Sequence, residues 1–292
     1  REDLFTVVLE QFMTDTAAMA DIVLPATTFL EHDDFYTASG HTSLQVAKKV
    51  IEPHAEARCN HDVISALARR LGAEHPGFHM TGWELIDAML KSSNLPDADT
   101  LHRMGGIDMA PDFETAHFLN GFPTPDGRFH FRPDWSAIGP AHAAMPPLPD
   151  HMPVIDAANA ARPFRLVTAP ARSYLNTSFT ETPGSIAREG RPTAFIHPAD
   201  CLALGLASGD QVRIRSRHDA IAAIVEGDAS LRRGLVSMTH AFGGRPGSDD
   251  DPGVRGSNAG RLLRADDDFD PISGIPRMGA VPVAIERLDE QA

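Results

Sequence analysis

The sequence predicts an α/β domain followed by a second domain that is a β-barrel or a β-sandwich. In the first part, a short apolar run, a small helix-compatible segment and another apolar run succeed one another, which is the order of an α/β layer. In the last part, many short apolar runs alternate with turns, and this pattern is typical of β-barrels and β-sandwiches. A stretch rich in proline and alanine lies between them and predicts a linker. The predicted boundaries are 1–122 for the first domain, 123–163 for the linker and 164–292 for the second domain.

Two apolar runs near the start predict buried strands. Leu4–Leu9 carries two adjacent valines, and Asp21–Leu24 ends at a proline, which stops a strand. Between them, Thr14–Ala20 is rich in small residues and predicts a short helix. Thr14 or Asp15 can cap this helix, because a side-chain oxygen there accepts a hydrogen bond from a free backbone N–H.

Apolar residues at helical spacing predict two longer helices in the first domain. In Asn60–Leu71, apolar side chains recur three or four residues apart until Gly72 ends the pattern. Thr81–Leu90 repeats the pattern.

The most informative run of the second domain is TAFIHPADCLALGLASGDQVRIRS, residues 193–216. Ile196 ends a strand, and Pro198–Leu204 predicts a short helix, because proline suits the first turn, where its missing N–H costs nothing. Gly205 ends that helix. Gln211–Ser216 then alternates apolar and polar residues, as a half-buried strand does. Further predicted strands are Phe164–Ala169, Ile221–Val225 and Leu235–Met238.

Composition and charge exclude several classes of protein. The formal net charge of −14 argues against nucleic-acid binding as the main task, because phosphate contacts need clustered Lys and Arg. No apolar run approaches the length of a membrane span. The two cysteines, Cys59 and Cys201, form no Cys-x-x-Cys pair, so the sequence predicts no iron–sulfur cluster and no thiolate zinc site in this chain.

The first residue is Arg1 rather than Met, and no signal peptide is visible. We therefore expect the chain to be part of a longer polypeptide. We also expect a cytoplasmic location, with which a content of only two cysteines is compatible.

Three segments carry a resemblance to a known family. HPADCLALGLASGDQVRIRS, GLVSMTHAFGG and the tail NAGRLLRADDDFDPISGIPRMGAVPVAI resemble the C-terminal dinucleotide-binding domain of the molybdopterin oxidoreductases. That group includes formate dehydrogenases, nitrate reductases and dimethyl sulfoxide reductases. In the first domain, FTVVLEQFMTDTAAMADIVLPATTFLEHDD and IEPHAEARCNHDVISALARRLG resemble other segments of the same family, in the same order.

The resemblance implies a fold, a cofactor and a set of binding residues. The second domain would be a six-stranded double-psi β-barrel, and the first would be part of a Rossmann-like molybdopterin oxidoreductase domain. The cofactor would be a bis-molybdopterin guanine dinucleotide carrying molybdenum or tungsten, held by its nucleotide ends. The implied cofactor-binding residues are Asp15, Thr16, Thr168, Arg172, Asn176, Thr177, Asn258, Gly274 and Arg277.

The chemistry of these residue types suits that task. The guanidinium fork of Arg172 matches a pyrophosphate, and the short polar side chains beside it can donate to phosphate oxygens. Asp15 could accept from a guanine edge, and Gly274 allows close approach of backbone. The alternatives are an ordinary polar turn around Asn176, simple helix capping by Asp15, and a surface loop around Gly274.

The sequence also departs from the family pattern. RHDAIAA lacks a glycine that is common in its turn, and YTASGHTSLQ differs from the family motif at Gly40–Gln45. In the family, the cluster-binding segment and the metal ligand lie upstream of the matched region. We therefore predict no catalytic and no metal-ligating residue in this chain. The upstream part of the same polypeptide is an expected partner, and an electron-transfer subunit is a further one that the resemblance allows.

Two other functions are compatible with a double-psi barrel. One is a non-catalytic module that binds protein or peptide partners. The other is a self-processing decarboxylase, which needs a Gly-Ser cleavage site such as Gly184-Ser185 or Gly247-Ser248. Neither needs the α/β half. The acidic runs SDDDPG and ADDDFD lack the spacing of a calcium-binding loop and predict solvated loops.

Overall fold

Two units make up the chain, Arg1–Phe129 and His130–Ala292. The linker predicted at 123–163 stays a prediction, and part of it lies outside the described residues. This computed structural model describes residues 3–139, 142, 145–148, 150–151, 155–243, 257–264, 266, 269–270 and 273–288.

The first unit opens with the predicted strand–helix–strand order. Strand β1 is Val7–Glu10, helix α1 is Asp15–Ala18 and strand β2 is Ile22–Pro25. The strands pair in parallel, with Val7 opposite Ile22. The prediction that both strands are buried is wrong, because Val7 is 44% exposed and Ile22 is 43% exposed. A parallel sheet is normally covered on both faces. The described residues of this unit do not cover this one.

A small core forms elsewhere in the first unit. It packs helices against an antiparallel sheet in which the central strand pairs with both others. Neither the hairpin nor the short third strand was predicted. The strands are β3 Asp34–Ala38, β4 His41–Ala47 and β5 Ile107–Asp108, and the helices of the unit are α2 Asn60–Arg70, α3 Gly82–Ser92, α4 Ala98–Met104 and α5 Phe113–Ala116. The buried core residues are Leu44, Val46, Ile86, Leu90, Ala98 and Leu101.

The two helices predicted from apolar spacing are confirmed, but they differ in what they bury. In α3, Ile86 and Leu90 are buried, and Thr81 with Glu84 forms a capping box at the start of the helix. In α2, the apolar stripe is exposed, and Ser65 is the buried residue. The exposed stripe consists of Ile64, Leu67 and Leu71.

The carboxylate of Glu31 joins two loops of the first unit. It accepts hydrogen bonds from the backbone N–H of Thr28 at 2.6 Å and from that of His54 at 2.7 Å. The hydroxyl of Thr28 donates to the same carboxylate at 3.0 Å. These bonds, with the Thr28 N–H contributing most, hold the pKa of Glu31 below its ordinary value.

Glu31→Gln is expected to make the stability of the protein less sensitive to acid. Because the folded-state pKa of Glu31 is lowered, its contribution is present above the unfolded-state pKa and is lost as pH falls through the folded-state pKa. Urea midpoints measured between about pH 6 and pH 3 should fall less steeply in this variant than in the wild type. Glu56→Gln, which removes an exposed carboxylate two residues after His54, is the matched control. Parallel midpoint curves for Glu31→Gln and wild type would contradict the prediction.

The second unit contains a closed six-stranded barrel in the order β10-β6-β11-β8-β9-β7. This closure decides between the barrel and the sandwich that the sequence left open. The strands are β6 Phe164–Ala169, β7 Thr193–Ile196, β8 Gln211–Arg215, β9 Ala220–Gly227, β10 Leu235–Thr239 and β11 Val281–Arg287. Two helices accompany them, α6 Pro183–Glu189 and α7 Pro198–Ala203.

The barrel interior is filled by apolar side chains. The predicted alternation of β8 is confirmed, since Val212 and Ile214 are fully buried while their neighbours in the strand are exposed. Strands β6 and β10 pair in parallel, as do β7 and β9, and the other pairs are antiparallel. Other fully buried side chains of this core are Leu166, Ile196, Ile221, Val225, Val236, Met238, Leu262 and Val283.

Helix α7 is tied to the barrel by a buried carboxylate. Asp200 accepts from Nε of Arg233 at 2.8 Å and from the backbone N–H of Gly234 at 2.7 Å. Burial by itself raises the pKa of Asp200, but the Gly234 N–H and the Arg233 guanidinium together outweigh it and the pKa lies below its ordinary value. Gly205, with φ of 67°, follows the helix and ends it as predicted.

No helix in the described part of the chain combines the length and the apolar character that crossing a membrane requires.

Candidate functional site

Strand direction gathers several loops at one end of the barrel. Because β6 and β10 are parallel, the loops that follow them start side by side. Strand β11 runs antiparallel to β6, so the segment leading into it arrives at the same end. Strand β8 runs antiparallel to β11, which places the β8–β9 turn there as well. We call this the loop end of the barrel. It comprises residues 170–182, 216–219, 240–243 and 273–280.

Four of the predicted site residues lie in or next to the loop that follows β6. Thr168 is half-buried near the end of the strand, opposite Met238 of β10. Arg172 is exposed, and its side chain makes no hydrogen bond or ion pair with another residue that the structure describes. Asn176 and Thr177 occupy the tip of a tight turn, in which the backbones of Leu175 and Ser178 bond to each other at 3.1 and 2.9 Å.

Aromatic and acidic side chains fasten this loop to its surroundings. Tyr174 is buried and packs edge-on against Phe242, with ring centroids 5.8 Å apart. The backbone N–H of Ser173 donates to the carboxylate of Glu189 in α6. Burial first, and then the carboxylates of Glu189 and Glu181, raise the pKa of Tyr174. The Tyr174 phenol is therefore protonated at neutral pH and acts as an anchor.

The segment His240–Gly243 contacts two of the predicted residues. Nε2 of His240 lies 3.2 Å from Oδ1 of Asn176. Gly243, with φ of 104°, lies so close to Asn258 that an added Cβ would come within 2.6 Å of the Asn258 backbone nitrogen. Asn258 itself caps a 3₁₀ turn by accepting from the N–H of Gly260 at 2.8 Å. Gly243 and Phe242 were not among the predicted site residues, although the glycine pair shortly after β10 is the kind of signal that indicates a close approach of backbones.

Arg277 lines a cavity of about 310 Å³ beside the β8–β9 turn. Its Nη1 donates to Asp156 at 3.1 Å, whereas its Nε is buried and has no hydrogen-bond partner among the described residues. The described part of the cavity wall is rich in cations and includes a single aspartate, Asp156. The other basic lining residues are Arg162, Arg217, His218 and Arg264. Such a wall suits an anionic group, because a buried N–H donor without an acceptor is costly.

Gly274 lies in the segment that leads into β11. It has φ of 70°, and no described atom lies within 4 Å of where its Cβ would be, so the backbone there is open to approach. Its N–H donates to Asp270 at 2.8 Å.

Asp15 and Thr16 lie in the first unit, at the start of α1. Thr14 is the residue that caps this helix, because its side chain accepts from the Ala17 N–H at 3.2 Å. Asp15 is half-buried and Thr16 is exposed. The start of a helix that follows a parallel strand is a place where α/β sheets commonly bind ligands.

Other candidate groups behave as structural residues. Cys59 caps α2, and burial raises the pKa of its thiol, as it does for the buried Cys201. In the described residues, no three His, Cys, Asp or Glu side chains converge as metal ligands. Gly184-Ser185 lies within α6, whereas Gly247-Ser248 and the run SDDDPG lie outside the described residues, and ADDDFD is described only in part.

Comparisons with known proteins match both units. The family model described as "Molydopterin dinucleotide binding domain" matches residues 164–282, and the one described as "Molybdopterin oxidoreductase" matches residues 1–70. The probable oxidoreductase YoaE of Bacillus subtilis is 33% identical over 82% of this chain and 35% of its own length. A dimethyl sulfoxide/trimethylamine N-oxide reductase of Rhodobacter capsulatus is 28% identical over 87% of this chain and 34% of its own length.

Among solved structures, acetylene hydratase from Pelobacter acetylenicus superposes with a TM-score of 0.78 at 22% sequence identity. The match covers 97% of this chain and 40% of that protein, and it shows a shared fold. The chain thus spans about a third of the length of the curated relatives it matches. With a dinucleotide-binding domain built as a closed barrel and a preceding segment that matches the oxidoreductase domain, the chain belongs to the molybdopterin oxidoreductase family.

Proposed function

We propose that this chain holds the nucleotide ends of a bis-molybdopterin guanine dinucleotide, carrying molybdenum or tungsten, as the C-terminal part of an oxidoreductase. The observation that carries the proposal is the convergence of polar and basic loops at one end of the barrel, within the matched domain. When bound, the metal cofactor supplies the redox chemistry. The residues of this chain bind and orient its nucleotide portions.

The residues at the loop end fit such a group. The buried Nε of Arg277 is a donor that lacks an acceptor among the described residues, and the cavity beside it is basic. Arg172 is exposed in the same loop as Asn176 and Thr177, and its guanidinium fork could donate two hydrogen bonds to a pyrophosphate. Gly274 leaves room for a ligand against the backbone. Thr168 and Asn258, in the same unit, belong to this proposed set. Asp15 and Thr16, in the first unit, are proposed as cofactor-binding residues independently of it.

The proposal also includes a double-psi connection in the barrel and a Rossmann-like fold for the first domain. The parallel pairs β6–β10 and β7–β9 within an otherwise antiparallel barrel support the double-psi connection. The parallel pair β1–β2 with its helix supports a part of a Rossmann-like domain. The domain limits 1–122 and 164–292, the linker and the cytoplasmic location remain predictions.

Exposed apolar surfaces support the proposal that a further part of the polypeptide packs against this chain. The stripe Ile64, Leu67 and Leu71 on α2 has the spacing of a packed helix face, yet it is exposed. The β1–β2 sheet is likewise exposed. We propose that an upstream part of the same polypeptide covers these surfaces and supplies the metal ligand, together with any iron–sulfur cluster. An electron-transfer subunit is a further proposed partner.

The natural full-length polypeptide provides the direct test. Metal should be measured by mass spectrometry and guanine nucleotide after acid release, in protein from cells shown to make the cofactor. Molybdenum or tungsten with about two nucleotides per metal is the expected result. Absence of both from such cells would overturn the proposal and leave the barrel as a partner-binding module.

Arg172→Ala is expected to lower the nucleotide content of that protein about tenfold after dialysis, because a bidentate pair with phosphate is lost. The thermal midpoint of the cofactor-free protein should not change, since Arg172 is exposed. Arg188→Ala, which removes an exposed arginine from α6, is the matched control. Nucleotide content equal to the wild type would remove Arg172 from the proposed site.

A further inference from the structure

We propose that His240 is a positioning residue that orients the carboxamide of Asn176, so that its N–H donors meet an acceptor oxygen of the bound dinucleotide. This inference rests on the proposed function. It assigns to His240 a role that is distinct from ligand contact, because the contact is made by Asn176.

The backbone of His240 is held in place by the barrel. Its N–H donates to the carbonyl of Ala169 at 2.9 Å, which continues the β6–β10 pairing by one residue. The next residue, Ala241, has φ of 78°, so the chain turns sharply directly after the histidine. The backbone that carries the imidazole is therefore fixed, and the ring contacts Asn176 in the loop that follows β6.

The contact between the two side chains defines which atom carries the proton. Nε2 of His240 lies 3.2 Å from Oδ1 of Asn176. A carboxamide oxygen only accepts hydrogen bonds, so His240 must donate from Nε2. With Oδ1 engaged, the NH₂ group of Asn176 is directed away from the imidazole, and it has no partner among the residues that the structure describes.

The position of Asn176 at the tip of a turn explains why the contact with His240 is needed to orient its carboxamide. Asn176 has φ of 52° and lies with Thr177 at the tip of the turn closed by Leu175 and Ser178. At such an exposed tip, a carboxamide would otherwise rotate and present either its oxygen or its nitrogen outward. A phosphate or carbonyl oxygen of a ligand is attracted by the NH₂ group and repelled by the oxygen. Fixing the amide in one orientation therefore favours binding without a new contact.

Nucleotide content in four variants tests the proposal in the natural full-length protein. His240→Ala should lower the acid-released guanine nucleotide retained after dialysis about three- to tenfold, close to the effect of Asn176→Ala. The double variant should lose no more than Asn176→Ala alone, because both changes act through one group. His240→Gln should retain most of the nucleotide, since its amide N–H can donate to the same oxygen.

The outcomes separate this inference from the proposed function. Wild-type protein without nucleotide would overturn both. Wild-type protein with nucleotide, combined with equal retention in His240→Ala, would overturn the role of His240 alone. Losses that multiply in the double variant would show that the two residues act independently and would also overturn it.

The protonation of the His240 ring nitrogens can be measured without the ligand. A residue that only stabilised the fold would not change it when Asn176 is replaced. In ¹⁵N spectra of the cofactor-free protein, the neutral form of His240 should carry its proton on Nε2. Asn176→Ala should shift the two ring nitrogens towards a mixture of tautomers. A wild-type His240 protonated on Nδ1 would contradict the proposal.

Discussion

Alanine in place of Gly243 is expected to lower the free energy of unfolding by about 3 kcal/mol. Two costs combine. The φ of 104° lies in a region that residues with a Cβ rarely adopt, and the new Cβ would lie 2.6 Å from the backbone nitrogen and 2.8 Å from the Cβ of Asn258. Because backbone cannot give way as a flexible side chain does, Asn258 must shift. Urea unfolding of the natural protein measures the loss, and nucleotide content should fall as well.

Gly205→Ala is the matched control for this change. Gly205 also has a positive φ, 67°, but no described atom lies within 4 Å of where its Cβ would lie, so only the cost of placing alanine in a left-handed backbone conformation, about 1–2 kcal/mol, applies. Gly205 also lies next to α7 rather than at the loop end, so the nucleotide content of this variant should match the wild type. Equal destabilisation by the two substitutions would show that the approach of Gly243 to Asn258 contributes nothing.

Removing the carboxylate of Asp200 has the second large expected effect. Asp200→Ala should lower the free energy of unfolding by about 2–3 kcal/mol, because the N–H of the half-buried Gly234 loses its acceptor and Arg233 loses its partner. The ion pair with Arg233 accounts for only a small part of this loss, because the guanidinium is exposed and stays hydrated. Urea unfolding at neutral pH is again the measurement.

The control for Asp200→Ala is Arg233→Ala, which keeps the hydrogen bond from the Gly234 N–H to Asp200. This variant should lower the free energy of unfolding by less than half as much. The effect should also depend on pH. Because the folded-state pKa of Asp200 is lowered, its contribution is present above the unfolded-state pKa and is lost as pH falls through the folded-state pKa. A difference between Asp200→Ala and wild type that stays constant between about pH 6 and pH 2.5 would contradict this account.

Local patterns were sufficient to predict much of the barrel. Strand β6 has the predicted bounds, and β8 shows the predicted alternation, because burial on one face requires a period of two. Proline at the start of α7 and Gly205 after it limit the helix by backbone geometry alone. Such signals depend only on neighbouring residues, so they can be recognised without knowledge of the fold.

Other features depend on contacts between distant parts of the chain. Strand β11 contains Pro282, which disfavours a central strand, yet β11 lies between β6 and β8 in the closed barrel. The predicted burial of β1 and β2 was wrong because covering layers are a property of the whole assembly rather than of the strand. At the candidate site, the contact between His240 and Asn176 joins residues 64 positions apart, and no local pattern encodes it.

Closure of the barrel has a consequence for how the protein is made. Strand β6 lies between β10 and β11, so one of its two neighbours is the last strand of the ring. During synthesis, β6 leaves the ribosome more than a hundred residues ahead of β11, a delay of roughly 6–25 s at ordinary elongation rates. Long-range pairings of this kind also fold slowly. Until β11 emerges, an edge of β6 is open to other nascent chains, and this interval is when a chaperone would be most useful.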